Sequence, residues 1–371
     1  GAGNGTDAAA RSWARPTSPA EPWYSGQAAR WVMATAVAAV LSLVFLVALV
    51  AGRLGADPAP GSQLLAGEVR GAAVVAACVP ARPASATVLD ATITVGDLDR
   101  AYRLHLPRGY TGSEQVPLVL LLHGTGGTID GFEEYTRFTD AAVARGYAVA
   151  TPQGVGDPQG GVPAHWTVPG FPGPDDVAFV ESLVREVAAS SCIDLRRVYA
   201  TGLSSGGAFS AYLGCQSTMF AALAPVAGAN LVRPCAGPPV SVLAIHGTAD
   251  PYVDYDGLDP EVAAVDDTFY NAPALDNAAA WAQRDGCTGQ EEVSEAADVT
   301  RTTWLECADA TSVQLLTITD GGHVWPGAGP RDVAQFGTTT TSISGNDVIL
   351  DFFDAHTLAG PVPEVSPSAT G

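Results

Sequence analysis

The sequence predicts an α/β fold, with a mostly parallel central sheet covered by helices on both faces. Three observations predict it. Continuous apolar runs such as "VPLVLLLHG" mark strands buried on both sides, unlike the alternating pattern of a sheet with one wet face. Such runs alternate with segments of helical character, which implies crossover connections between parallel strands. Near Thr87 the pattern opens with two shorter β-type segments, the mark of an antiparallel start.

The opening segments, "ATITVG" and "RAYRLHLP", form a hairpin turned at Gly96-Asp97. Buried-strand runs follow at "VPLVLLLHG", "GYAVATPQ", "RRVYATG", "FAALAPVAG", "VSVLAIHG" and "VQLLTITDGG". Helices are expected between them over about Gly131–Arg145, Asp175–Ala189, Ser205–Gly214, Ala274–Arg284 and Asn346–His356. Asp175 and Asp176 open the second of these, where acidic side chains favour the positive helix end; they read as caps, not catalysts. With no internal repeat, residues 85–358 are expected to form one domain of catalytic size.

The flanks read differently. Of the 371 residues, 47% are apolar and 15% charged, which fits a globular core plus a membranous element. A net charge of −21 leaves no basic stripe to balance phosphates and excludes nucleic acid as a partner. Residues 1–30 are expected to be a cytoplasmic segment, 31–52 a transmembrane signal anchor, 53–84 a linker and 359–371 a disordered tail. The anchor, "WVMATAVAAVLSLVFLVALVAG", carries no charge and at about 1.5 Å per residue can cross a hydrocarbon layer of ~30 Å. Arg11, Arg15 and Arg30 precede it and favour a cytoplasmic N-terminus, so membrane attachment through this helix is expected. Cleavage would instead release a secreted body. On either reading the body lies outside the cell, where six cysteines suggest disulfides over thiol chemistry.

The chemistry centres on "VYATGLSSGGAFSAYLGC". Ser204 follows a strand directly and a helical run begins at Ser205, the strand–turn–helix context of a nucleophile elbow. In such sheets functional groups collect beyond the carboxyl ends of the strands. Asp250, in "LAIHGTADPYVDYDG", and His323, in "LLTITDGGHVWPG", both fall there, giving the order Ser, Asp, His. Asp254 and Asp256 are rival acids, and His123 and His246 rival bases, each followed by glycine at a strand end. An oxyanion hole would draw one main-chain N–H from Ser205 and one from Thr125 in "LLLHGTGG". The acidic "DYDG" lacks the ligand spacing of a calcium loop, and no metal or cofactor is expected.

Together "LLLHGTGG", "DDVAFV", "CIDLRRVYATGLSSGG", "APVAG", "IHGTADPYVDYDG" and "GGHVWPG" resemble the secreted polyhydroxybutyrate depolymerase/feruloyl esterase family of α/β-hydrolases. The resemblance spans about Thr87 to His356 and implies a serine carboxylic ester hydrolase with Ser204, Asp250 and His323 as triad. Two departures, Ser205 where the family usually has Asn or Gln and "HWTVPG" where Trp-Asn is common, fall on the substrate side. A strand up to the elbow and a helix back down would bring Cys192 near Cys215. Cys287 and Cys307 would staple a hairpin-like insertion, leaving Cys78 for Cys235, although six cysteines leave the connectivity open. Trp166 and Trp325 are candidate walls of an acyl or aromatic site, with ordinary packing as the alternative. The short connection after "APVAG" leaves no room for a lipase lid, and an open acidic mouth favours uncharged or polymer-borne esters: hydroxyalkanoate, feruloyl or acetyl. The competing readings are a serine peptidase with the same triad and a catalytically silent, membrane-anchored binding module.

Overall fold

A computed structural model describes residues 87–157, 161–228, 235, 237–257, 272–329 and 335–358. The expected anchor, linker and tail lie outside them. Among the described residues no helix is long and apolar enough to cross a membrane.

The opening hairpin pairs β1 (Val88–Val95) with β2 (Leu98–His105), Val95 facing Leu98 across Gly96. There follow β3 (Val116–Leu122), α1 (Ile129–Thr136), α2 (Phe138–Ala144), β4 (Ala148–Pro152) and a small pair, β5 (Val155–Asp157) and β6 (Val162–His165). Next come α3 (Asp176–Ser190), β7 (Ile193–Leu203), α4 (Ser205–Gln216), β8 (Ala222–Val226) and β9 (Ser241–Gly247). The chain continues through α5 (Ala274–Arg284), β10 (Gly289–Ala296), β11 (Val299–Leu305), β12 (Val313–Ile318) and α6 (Gly345–Asp354).

Ten strands make one sheet in the order β1-β2-β4-β3-β7-β8-β9-β12-β11-β10. From β4 to β12 neighbouring strands are parallel, and both edges are antiparallel. The stretch between Cys287 and Cys307 therefore extends the sheet as its last two strands instead of standing outside it. Three glutamates on β10 (Glu291, Glu292 and Glu295) charge this exposed edge and discourage pairing with another chain.

Side chains of β3 alternate between the two faces, as strand geometry requires. Leu118, Leu120 and Leu122 join the core with Phe179, Phe209 and Trp281 from α3, α4 and α5. Val119 and Leu121 join the other, with Phe132, Phe138 and Phe353 from α1, α2 and α6. One helix expected near residues 131–145 is two, because Arg137 takes a left-handed backbone conformation at φ 51°. The break brings both Phe132 and Phe138 edge-on to Trp325, each ring centroid 5.9 Å away.

The disulfides correct two expected pairings. Cys215 is bonded to Cys235, so neither Cys192–Cys215 nor Cys78–Cys235 forms. The strand-and-helix argument placed Cys192 and Cys215 at one sheet edge, but the segment after β8 returns Cys235 to the end of α4. Cys192 is itself disulfide-bonded. Cys287 is bonded to Cys307 and ties the end of α5 to the end of β11.

Candidate active site

Ser204 sits between β7 and α4 with φ 59° and ψ −121°, a region costly for any residue with a Cβ. Its N–H is held by the Val226 carbonyl at 3.0 Å, and its carbonyl accepts the Ala208 N–H at 2.8 Å, which starts the helix. The turn closes because residue 206 is glycine: a Cβ there would run into the carbonyl oxygens of Leu122 and His123. β3 and the elbow thus touch backbone to backbone.

Asp250 and His323 come from the loops after β9 and β12, which are parallel neighbours. His323 Nδ1 lies 2.7 Å from Asp250 Oδ2, and both residues are buried. A carboxylate only accepts, so Nδ1 carries the proton and Nε2 is left as the basic nitrogen. Burial pushes the Asp250 pKa up, but hydrogen bonds from His246 and His323 outweigh it and hold the carboxyl well below the usual carboxylate range. The N–H groups of Tyr252 and Val253 fix its other oxygen at 2.8 and 2.9 Å. The rival acids Asp254 and Asp256 lie further along this loop, Asp254 Oδ1 accepting the Asp256 N–H.

A cavity of about 680 Å³ lies over these groups. Ser204 and His323 line it, as do Thr125 and its glycine neighbours, Phe132, Leu203, Tyr252 and Phe336. The Thr125 N–H has no hydrogen-bond partner among the described residues. Ser205 opens α4, and first-turn N–H groups have no acceptor within their own helix.

The other candidate histidines are committed elsewhere. His123 is buried, its Nδ1 2.8 Å from the Gly124 carbonyl while Nε2 accepts the Gly154 N–H at 2.9 Å. Burial pushes its pKa down, against the support of the Gly124 bond. It is a neutral brace for the loop that carries Thr125. His246 donates Nε2–H to the Val253 carbonyl at 2.8 Å, with Asp250 Oδ2 3.5 Å away.

The two candidate tryptophans are not at the cavity. Trp166 is fully buried, stacked on Phe209 and donating its indole N–H to the His123 carbonyl at 2.8 Å. Trp325 is equally buried, its indole N–H donated to Asn346. Both are packing residues, and the aromatic lining comes from Phe132, Tyr252 and Phe336. Asp175 caps α3 through the Ala178 N–H, whereas Asp176 forms a buried 2.6 Å ion pair with Arg100. That partner carried no sequence signal.

Residues 100–250 match the family model described as "Esterase PHB depolymerase". Across 296 residues the chain is 33% identical to "Putative esterase NocK" of Nocardia uniformis subsp. tsuyamanensis, covering 74% of this chain and 85% of that one. The chain belongs to the PHB depolymerase/feruloyl esterase family. This esterase is also 32% identical over 228 residues to "Feruloyl esterase B" of Piromyces equi, covering 58% of this chain but 41% of that longer protein. Among solved structures it resembles an acetyl xylan esterase from Aspergillus awamori at a TM-score of 0.51 and 15% identity, over 72% of this chain and 99% of that one. With the ten-stranded sheet, this gives the esterase an α/β-hydrolase fold, and its family makes it a carboxylic ester hydrolase.

Proposed function

We propose that the esterase works through an acyl-enzyme, with Ser204 as nucleophile, His323 as proton carrier and Asp250 as the carboxylate that orients it. The observation that carries this reading is the buried 2.7 Å bond between His323 and Asp250, with His323 and the strained Ser204 lining one cavity. Ser204 Oγ attacks the ester carbonyl as its proton passes to His323 Nε2. The carbonyl oxygen becomes an oxyanion against the N–H groups of Thr125 and Ser205, an arrangement worth roughly 3–4 kcal/mol of barrier per donor elsewhere. Collapse expels the alcohol, which takes the proton from His323. Water then repeats the cycle, releasing the acid and restoring Ser204.

The proposed substrates are uncharged or polymer-borne esters of hydroxyalkanoate, feruloyl or acetyl type. The apolar lining and the names of the relatives support that class. Work outside the cytoplasm, from a body attached through residues 31–52 or released, is supported by the disulfides. The test is p-nitrophenyl acetate turnover by the full chain, with Ser204→Ala and a serine-directed phosphonate. Turnover abolished by both supports the reading; turnover that survives Ser204→Ala in a folded protein sinks it.

A further inference from the structure

The triad reading above, on which this inference rests, needs the Thr125 N–H to stand where the ester oxygen gathers charge. That N–H lies in the loop 123–129 beside Gly124, Gly126 and Gly127, which have no side chains to pack and fix it. Main-chain bonds hold part of the loop: the Gly126 N–H meets the Ala164 carbonyl at 2.7 Å, and the Gly127 N–H meets that of Gly124 at 2.9 Å. The two ends of the loop are held together by one side chain, that of Gln153.

Gln153 follows the last residue of β4 and is not among the residues that line the cavity. Its Oε1 accepts the N–H of Ile129, the first residue of α1, at 3.2 Å. Its Nε2 donates to His123 Nε2 at 2.9 Å and to the Gly127 carbonyl at 3.2 Å, with the Gly154 carbonyl also 3.2 Å away. His123 can accept because its own proton sits on Nδ1, 2.8 Å from the Gly124 carbonyl. One carboxamide therefore joins the start of the loop to its end, where α1 goes on to supply Gly131 and Phe132 to the cavity. The position demands an acceptor and donors on one planar group. An ionised glutamate only accepts, lysine and arginine only donate, and asparagine is one carbon shorter.

The carboxamide is itself anchored. The Gln153 N–H meets the Ala101 carbonyl at 2.9 Å, and its carbonyl accepts from Arg100 at 3.3 Å. Arg100 is buried in its 2.6 Å pair with Asp176, whose other oxygen takes the Thr167 N–H at 2.7 Å. Neither member of the ion pair lines the cavity, yet together they fix the backbone from which Gln153 reaches.

We propose that Gln153 is a positioning residue for the oxyanion site, holding the Thr125 N–H in place without touching the ester. Its effect belongs to the transition state, because the aimed N–H matters most once the oxygen is charged.

The test uses the full chain with two variants. Gln153→Met keeps the length and removes every side-chain hydrogen bond; Gln153→Asn keeps the amide and loses the reach. The rate is measured on p-nitrophenyl acetate and counted per Ser204 labelled by a serine-directed phosphonate. A donor displaced by about 1 Å costs about 10²-fold, so kcat in Gln153→Met should fall by about that factor while KM stays within about threefold. Gln153→Asn should lose less, since its amide still meets one end of the loop. Phenylboronic acid, whose adduct with Ser204 is a tetrahedral anion, should bind more weakly in step with kcat. The uncharged p-nitroacetanilide should bind as it does to the wild type. A variant that melts earlier but keeps kcat per labelled site and its boronate affinity would show a structural role only, and would overturn the proposal. So would a rise in KM with kcat kept. If Gln153→Met does not fold, Gln153→Asn decides by the same readings. Full labelling with wild-type kcat in the variants removes this inference alone, whereas a wild type that the phosphonate does not label removes the triad.

Discussion

Asp250 divides its two oxygens between His323 and its own loop. Oδ2 accepts His323 Nδ1–H at 2.7 Å, and Oδ1 accepts two main-chain N–H groups. The carboxyl cannot rotate without giving up one set. In Asp250→Asn the amide must turn either its NH2 or its oxygen toward Nδ1, and the loop N–H groups already claim the oxygen. The imidazole would then be held in the wrong tautomer. A fall in kcat of about 10⁴-fold is expected, with the fold retained, by steady-state kinetics beside thermal melts. The depressed pKa of Asp250 also sets a sign: its stabilising contribution is present above about pH 4 and lost as pH falls further.

The backbone of Ser204 is a small energy reservoir. At φ 59° and ψ −121° a Cβ-bearing residue is strained by about 1–3 kcal/mol, a conformation that glycine adopts far more easily. Ser204→Ala keeps the strain and Ser204→Gly relieves it. Both are expected to be inactive, yet the glycine variant should be the more stable in urea by about 1 kcal/mol, after the greater chain entropy that glycine loses on folding. A glycine variant less stable than the alanine variant would show that the turn stores nothing.

The central sheet was legible because β3, β9 and the part of β7 from Val198 are buried on both faces, so their sequences run largely apolar. The positions of Ser204, Asp250 and His323 just beyond β7, β9 and β12 were legible too, because each of those strands shows as an apolar run. What escaped depends on tertiary contact. Arg137 is an ordinary helix residue by composition, and only the packing of Phe132 and Phe138 on Trp325 explains the break. Trp166 and Trp325 looked like site residues because they neighbour site loops in sequence, while their side chains turn inward. Tyr252 stands two residues beyond Asp250, and its exposure beside His323 has no signature in the string. Cys235 was misassigned because the path between β8 and β9 leaves no periodic pattern.

His123 braces the loop that presents Thr125, taking the Gly154 N–H and holding the Gly124 carbonyl. His123→Ala frees that loop and leaves both partners unsatisfied. A loss of about 10²-fold in kcat is expected, the size of a lost oxyanion donor, with KM little changed. A rise in KM alone would place His123 in substrate binding instead.

Asp285 is buried beside Arg284, 2.7 Å from its guanidinium, and accepts the Val240 N–H at 3.2 Å. Burial nevertheless dominates and pushes its carboxyl up to about 6. A carboxyl raised on folding binds a proton more tightly in the native state. Its stabilising contribution is therefore complete below about pH 4 and lost as pH rises through about 6. Wild-type stability is expected to decline from about pH 4 to 7 by an amount on the order of 2–3 kcal/mol from this group. Asp285→Asn should flatten that slope, because an amide does not titrate. Denaturant melts across the range test it, and parallel slopes in the two proteins would show that Asp285 is ionised throughout.

The Cys215–Cys235 bridge closes a loop with a sequence separation of 20 at the end of α4, the helix whose first turn meets Ser204. Chain-entropy reasoning gives such a loop about 3 kcal/mol of stabilisation, mainly by restricting the unfolded chain. Cys215→Ser with Cys235→Ser should therefore lower stability by about that amount. Arg284 still ties Gly214 to Gly237 and Pro238 through main-chain carbonyls, so the helix end keeps its register and activity at low temperature should survive. Non-reducing peptide mapping of the wild type should give a Cys215–Cys235 crosslink. A Cys192–Cys215 crosslink would instead mean that the segment after β8 runs elsewhere, and with it the approach of Cys235 to α4.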